Sequence, residues 1–359
     1  MLSSIVNSSW MSQINRVKTR LFLMSISTCL EQAWYRRSSW ALLLLPLSWL
    51  FRVVVRARRY YYQKVSSKPS LNVPVIVVGN ISVGGTGKTP LLMTLVDHLK
   101  EQGYRPGVIS RGYGGTASEY PVLVSTESAA AKVGDEPLLL ASTCPVVVDP
   151  NRYRAAQWLL EQTDCDLILS DDGLQHYRLP RDIEIAVVDG ERGFGNKQCL
   201  PAGPLREPVS RLQQVDFILI NGHSSSESSE DSFFFRVEPT QFRHLLSGQR
   251  CSLEQWNSGN KVHAVAGIGN PQRFSSTLEQ LGFDVQLHVY PDHHDFRGEE
   301  LQFDDNLPVI ITAKDAVKCK GFTHDTNYDG VWVLEVAAKP DTEFLDKLTH
   351  AVHNLKESV

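Results

Sequence analysis

The sequence predicts an α/β protein: a mostly parallel sheet with helices on both faces, a smaller second α/β domain, and an N-terminal membrane-associated helix. Three observations predict it. Short, continuously apolar runs alternate with helical patterns from Val75 to Ile220, as strands buried on both faces require. A second set of strand and helix patterns begins at Val262, beyond a serine-rich stretch. Ahead of both lies Trp40 to Val55, an apolar segment edged by Trp, Tyr and Arg.

The bulk numbers set the frame. A chain of 359 residues has room for two domains, and 42% hydrophobic with 21% charged residues is globular composition. The net charge of −4 offers no basic field for nucleic acid. The six cysteines are scattered without CxxC or zinc spacing, which suits a reducing compartment.

Residues 1–30 form an extension of their own. Arg16, Lys18 and Arg20 precede an apolar run, Leu21 to Leu30, which mimics a signal peptide. Export would carry the phosphate-binding loop described below away from its nucleotide. A longer upstream extension, or a start at Met11 or Met24, accounts for the pattern as well. Residues 31–62 are expected to hold the membrane-associated helix. As a helix, Trp40 to Val55 covers roughly 24 Å against about 30 Å for a bilayer core. Pro46 and Arg52 count further against a span. Arg36 and Arg37 precede it, and Arg56, Arg58, Arg59 and three tyrosines follow. The expected arrangement is a helix in or dipping into the membrane surface, its basic flank on anionic headgroups. Packing on the soluble body and a true span are the alternatives.

The core is expected over 63–222, organised around Val73 to Thr89, VPVIVVGNISVGGTGKT. Val75 to Val78 is a buried strand, and Gly84-Gly85-Thr86-Gly87 is a glycine-rich turn. From Pro90, the residues Leu91, Leu92, Leu95, Val96 and Leu99 recur at helical spacing. Strand, glycine loop and helix in that order is the context of a P-loop, so the fold is read as P-loop NTPase-like. Backbone N–H groups of Gly84 to Thr89 would curl around phosphates at a helix N-terminus. Lys88 would reach the outer phosphates, and the Thr89 hydroxyl would hold Mg²⁺. Ser82 stands where the strict pattern has its first glycine.

Further along, Val108-Ile109-Ser110 leads into Arg111-Gly112-Tyr113-Gly114-Gly115, and Val133-Gly134-Asp135-Glu136-Pro137 precedes a helical Leu138-Leu139-Leu140. Paired acids at a helix start also serve as ordinary caps. Asp166 to Gly173, DLILSDDG, has the Walker B form, a buried strand presenting acids at its C-terminal end. Ligands of open α/β sheets bind at that end, so Asp171 and Asp172 are candidates for Mg²⁺. Gly222 to Ser232 reads as an exposed loop, and 223–261 as a connecting segment. The smaller α/β domain is expected over 262–359. Between its strands lies Tyr290-Pro291-Asp292-His293-His294-Asp295-Phe296, open to readings as metal site, catalytic histidine or solvated loop. Ile311 to Asp315 hints at a guanine-reading motif, but Lys314 and Asp315 are adjacent rather than spaced by one residue.

Taken together, these motifs resemble the tetraacyldisaccharide 4′-kinases, the lipid A 4′-kinases of Gram-negative bacteria. The resemblance rests on Gly79 to Pro90, Ser110 to Gly114, Val133 to Pro137, Asp171-Asp172-Gly173-Leu174-Gln175-His176 and Leu200 to Pro208, LPAGPLREP. It runs from about Glu31 to Lys318, more loosely to the end, and it accounts for Ser82 because the family's loop also lacks that glycine. Residues 1–30 have no counterpart, and Ala313 stands where the family usually has Glu, so no role is assigned there. The resemblance implies transfer of the γ-phosphoryl of ATP, with Mg²⁺, to the 4′-hydroxyl of a membrane-embedded tetraacyldisaccharide 1-phosphate. It places the enzyme at the cytoplasmic face of the inner membrane, with no nucleic acid and no obligate protein partner. It implies Asp135 as base assisted by His293, with His294 an open alternative. It implies Glu207 as a further acid near the metal, and Gln175, His176, Arg111 and Arg206 lining the substrate site. The rival reading is a membrane-attached P-loop switch that prefers GTP and transfers phosphate only to water.

Overall fold

The structure is a computed structural model describing residues 29–35, 40–65, 70–222, 232–319 and 328–357. Most of the 1–30 extension and of the Gly222 to Ser232 loop lies outside the described residues. The chain forms two compact units. One comprises Met1–Tyr60, Ile81–Val83 and Arg192–Arg211; the other comprises Tyr61–Asn80, Gly84–Glu191 and Leu212–Val359.

In the first unit, helix α1 covers 29–35, and a 3₁₀ turn, Trp40–Leu44, runs into α2, Leu45–Tyr60. A π turn, Tyr61–Val65, with which the second unit begins, continues the same helical stretch. The whole run, Trp40–Val65, is 26 residues long and apolar enough to cross a membrane, with only 11% of its most apolar window buried. The length argument made from Trp40 to Val55 therefore understated the helix, because its basic and tyrosine flank stays helical. Leu43, Leu50 and Val53 are exposed, while Ala41 and Ser48 are buried. Ser48 is the tie between this helix and the 192–211 segment. Its hydroxyl donates to the Cys199 carbonyl at 2.8 Å and accepts from the Ala202 N–H at 2.9 Å. Trp34 adds a bond from Nε1 to the Pro201 carbonyl at 3.0 Å.

The second unit is built on one sheet of 13 strands. Its first half carries β1 (Val75–Gly79), β2 (Pro106–Ser110), β3 (Val122–Val124), β4 (Val146–Val148), β5 (Leu167–Asp171), β6 (Ile183–Asp189) and β7 (Phe217–Asn221). The order is β7-β6-β1-β5-β2-β4-β3, parallel throughout except for β3 at the edge. β1 is central and fully buried, which is why its sequence is an unbroken apolar run. Helix α3 (Lys88–Glu101) follows the glycine loop and packs Leu91, Leu92, Leu95, Val96 and Leu99 into the core. Two short helices, α4 (Ala130–Val133) and α5 (Asp135–Leu140), sit before β4, and α6 (Arg152–Gln162) before β5.

The boundary drawn at 223–261 falls on strands. β8 (Ser232–His244) pairs parallel to β7 and antiparallel to β13 (Val331–Pro340), so it joins the two halves of the sheet. β9 (Arg250–Ser252) pairs with β8. Arg236 and Thr240 of β8 are exposed and Glu238 and Arg243 half-buried, and these polar residues masked its strand character in the sequence. The second half adds β10 (Lys261–Ala266), α7 (Pro271–Gln280), β11 (Asp284–Val289), β12 (Val309–Thr312) and α8 (Ala313–Ala316). The C-terminal helix α9 (Thr342–Glu357) packs Phe344, Leu348 and Val352 into the core of the first half, with Ile185 and Val187.

Candidate active site

The glycine loop opens at the C-terminal end of β1. Gly87 caps α3 with φ of 86°, a left-handed conformation that side chains resist. A Cβ there would stand 2.5 Å from Asn221 Nδ2. Asn221, at the end of β7, uses that nitrogen to donate to the Thr86 carbonyl at 3.1 Å. Its Oδ1 accepts from Arg273 of α7 at 3.2 Å. Gln175 Nε2 donates to the Asn80 carbonyl at 3.1 Å, and Asn80 Nδ2 to the Gly84 carbonyl at 3.4 Å. Gln175 thus shapes the entry to the loop. His176 lies in the same turn, its N–H donating to the Gly173 carbonyl at 2.9 Å.

Asp171 ends β5 directly beside β1, in register with Val78. Its Oδ2 accepts from Ser110 Oγ at 3.0 Å, while Oδ1 is buried with no hydrogen-bond partner among the described residues. Burial pushes the Asp171 carboxyl up to about 7, and the charges of Glu136 and Asp172 add to the effect. Asp172 follows with φ of 48°, and its Oδ1 lies 3.8 Å from Lys88 Nζ. Below them, buried Arg152 donates to the carbonyls of Asp149 and Asp171 at 3.1 and 3.2 Å. Burial lowers its guanidinium to about 10, with Asp171 and Asp172 opposing. Arg111 is exposed on the loop after β2 and adds to that lowering by its charge.

This donor set fits Mg²⁺. Thr89, Asp171 and Asp172 offer hard oxygens, and Asp171 Oδ1 is a buried acceptor without a donor. Among the described residues no group of three or more His, Cys, Asp or Glu is arranged to hold a metal alone. A hard cation here would complete its shell from phosphate and water, as Mg²⁺ at nucleotide sites does.

A second cluster forms at the start of α5, which packs on α3. Asp135 is 4% exposed. Gly134 before it takes φ of 91°, and a Cβ there would meet the Tyr113 carbonyl oxygen at 2.7 Å. That close approach seats Asp135 against the loop after β2. His293, 158 residues away in sequence, brings Nδ1 to 2.9 Å from Asp135 Oδ2 and 3.1 Å from Oδ1. Facing a carboxylate, that nitrogen carries the hydrogen and donates it. His293 takes φ of 60°, and its ring lies 5.4 Å from that of Tyr113. Burial alone would raise Asp135, but the His293 hydrogen bond and the Lys314 charge hold its carboxyl below the usual range. The same bond raises the His293 imidazole, against burial and Lys314. His294 points elsewhere, with Nε2 2.9 Å from Glu300 Oε1.

The structure therefore brings Lys88, Asp171 and Asp172 together, and separately brings Asp135 to His293. Glu136 links the two clusters, since its charge acts on Asp171. Arg206 and Glu207 belong to the first unit. There the Arg206 N–H donates to the Ile81 carbonyl at 2.6 Å, and buried Glu207 lies 3.4 Å from Arg211 Nε. Sequence reasoning missed Ser110, Arg152, Asn221 and Lys314. The available signal was position: Ser110 and Asn221 end apolar runs, where open sheets place their sites.

The chain is similar to known proteins over most of its length. The Tetraacyldisaccharide-1-P 4′-kinase (LpxK) family model matches residues 40–353. A tetraacyldisaccharide 4′-kinase of Hahella chejuensis is 44% identical over 334 residues, covering 91% of this chain and 97% of that protein. One from Pseudomonas fluorescens Pf-5 is 48% identical over 327 residues, covering 90% and 95%. A crystal structure of LpxK from Aquifex aeolicus in complex with ATP is similar at a TM-score of 0.73 and 29% identity. It covers 88% of this chain and 98% of that one.

Proposed function

The chain belongs to the tetraacyldisaccharide-1-P 4′-kinase family, and on that premise we propose how its residues perform the reaction. The protein is a kinase that transfers the γ-phosphoryl of ATP to the 4′-hydroxyl of tetraacyldisaccharide 1-phosphate. The observation that carries the residue assignment is the Asp135–His293 pair at 2.9 Å, at the start of a helix packed on the one that follows the P-loop.

Gly84 to Thr89 hold the phosphates through backbone N–H groups at the N-terminus of α3, and Lys88 neutralises charge on the outer ones. Thr89, Asp171 and Asp172 would hold Mg²⁺, which when bound neutralises charge on the phosphate oxygens. Asp135 takes the proton of the 4′-hydroxyl. The hydroxyl oxygen bonds to the γ-phosphorus as the bond to the bridging oxygen breaks, and ADP leaves. Phosphoryl transfer is mostly positioning and charge stabilisation, so a poor nucleophile gains from a carboxylate fixed where its proton departs. His293 fixes that carboxylate and balances its charge. Because β8 joins its loop to the P-loop half through one sheet, His293 reports on the geometry of both halves.

The acylated acceptor resides in a bilayer, and the exposed apolar side of Trp40–Val65 with Arg52, Arg56, Arg58 and Arg59 suits attachment at the inner, cytoplasmic-facing surface. The test is to supply the detergent-solubilised protein with Mg²⁺, γ-labelled ATP or GTP, and tetraacyldisaccharide 1-phosphate. Label moving from ATP into lipid is expected. Label released only as free phosphate, with GTP preferred, would replace the kinase with a switch. Attachment is read by flotation with anionic vesicles: salt-sensitive binding is expected, and equal recovery without vesicles refutes it.

A further inference from the structure

Three carboxylates beside the transfer site share one cation. Lys314 Nζ lies 3.1 Å from Glu136 Oε1, 3.2 Å from Asp292 Oδ1 and 3.8 Å from Asp135 Oδ2. Glu136 follows Asp135 in the chain, and Asp292 precedes His293. One ammonium thus ties together the residues that flank both members of the pair. Asp292 also turns its own loop, accepting the His293 N–H at 3.0 Å.

The helix that carries Lys314 is held by a buried network. Helix α8 is capped by Thr312, whose hydroxyl accepts from the Asp315 N–H at 3.1 Å and donates to Asp315 Oδ2 at 2.7 Å. Asp315 is fully buried, accepts from the Gly267 N–H at 3.2 Å, and pairs with Lys318 at 2.6 Å. Lys318 in turn donates to the Gly267 carbonyl at 3.3 Å and sits 5.1 Å over the Phe296 ring. A buried charge pair whose Asp315 Oδ2 also accepts two hydrogen bonds is costly to disturb, so α8 offers Lys314 a fixed base.

We propose that Lys314 is a positioning residue for the phosphoryl transfer, fixing the base Asp135 relative to His293 through the carboxylates that flank them. The proposal rests on Asp135 being the base. Removing Lys314 would leave Asp135, Glu136 and Asp292 facing one another with His293 and the more distant Lys318 as the remaining positive groups. Like charges at this range disfavour ionisation and push carboxylates apart. The Asp135 carboxylate would lose both its orientation and part of its ionised fraction.

The test compares Lys314→Gln, Lys314→Arg and Asp135→Ala in the full chain, by kcat, KM for ATP, pH profile and Tm. Lys314→Gln should lower kcat about tenfold or more, because misplacement of a reacting group is costly, while KM for ATP stays put. Activity needs ionised Asp135, so the acid limb of kcat/KM should move up by about one pH unit. Lys314→Arg keeps the charge and should restore the limb and much of kcat. Unchanged kcat and limb in Lys314→Gln would overturn the proposal. So would a loss matched by a fall in Tm with the limb of the residual activity unmoved. If Lys314→Gln does not fold, Asp292→Asn, at a side chain 42% exposed, cuts the tie to the His293 loop. Its kcat should fall several-fold, and an unchanged kcat would overturn the proposal. Retained turnover in Asp135→Ala would remove the base reading instead. An inactive Asp135→Ala beside a normal Lys314→Gln would sink only the role of Lys314.

Discussion

Replacing Asp135 by Ala isolates the chemistry from nucleotide binding. The side chain is 3% exposed and accepts from His293 at 2.9 and 3.1 Å, so Ala removes the proton acceptor and leaves the imidazole facing a void. General-base catalysis is worth about 10²–10⁴ in rate, or about 2.7–5.4 kcal/mol at 1.36 kcal/mol per decade. Nothing in the glycine loop bonds to Asp135. Thr86 is held by Asn221, and the entry to the loop by Asn80 and Gln175. The Kd for ATP should therefore change less than about threefold, since groups that share no bonding partner couple weakly. Asp135→Asn serves as companion, because it keeps the volume while presenting N–H groups to the His293 Nδ1 donor. Label transfer to the lipid, titration calorimetry with ATP, and a thermal melt together measure chemistry, binding and fold. Both variants should bind ATP and transfer almost none of it. Turnover within about threefold of the parent, with binding intact, would refute Asp135 as the base, because a lost base costs far more.

Other perturbations reach different parts of the structure. The lowered Asp135 carboxyl gives stability that is present above its unfolded value and lost as pH falls through its folded one. The raised His293 gives stability that is complete below its unfolded value and lost as pH rises through its folded one. The Tm gap between parent and His293→Ala should be widest from about pH 4 to 6.5 and narrow above that; a gap flat with pH refutes the pairing. Gly87→Ala forces a side chain into φ of 86° against Asn221, at about 1 kcal/mol of backbone strain plus the broken bond to Thr86. Its ATP binding should collapse, and retained affinity in calorimetry would show that the loop tolerates the methyl group. Ser48→Ala leaves the buried Ala202 N–H without its partner, at about 1–3 kcal/mol, while the Cys199 carbonyl keeps the Gly203 N–H. A Tm drop of several degrees is expected, and an unchanged melt contradicts that tie.

The P-loop was legible because three local signals coincide: an apolar run, a glycine cluster and helical spacing, all within Val75 to Leu99. The Walker B strand was legible from an apolar run that ends in paired acids, and its place beside β1 follows from sheet order rather than from anything in Leu167 to Asp171. The partner of Asp135 was legible only through resemblance. His293 and His294 look alike in the chain, and the positive φ that turns one toward α5 has no sequence mark of its own. Lys314 was dismissed because it was tested against a spacing motif, whereas its meaning lies in three acids 22 and 178 residues distant and beyond. β8 was read as a connection because half its residues are polar, and only its pairing with β7 and β13 explains them.

The tie at Ser48 bears on how the protein is handled in water. An apolar N-terminal helix invites trimming to improve solubility. Here the same stretch supplies a hydroxyl to the Cys199 carbonyl and the Ala202 N–H, and Trp34 upstream bonds the Pro201 carbonyl and accepts the Asn196 N–H. Cutting it away would strip four contacts from the backbone of that loop, of which only the Cys199 carbonyl keeps a partner there in the Gly203 N–H. Solubility is better sought by recolouring the outward residues, such as Leu43 at 82% exposure, Leu50 and Val53, and leaving Ser48 in place. The segment proposed to meet lipid also holds the backbone of the 192–211 loop in place.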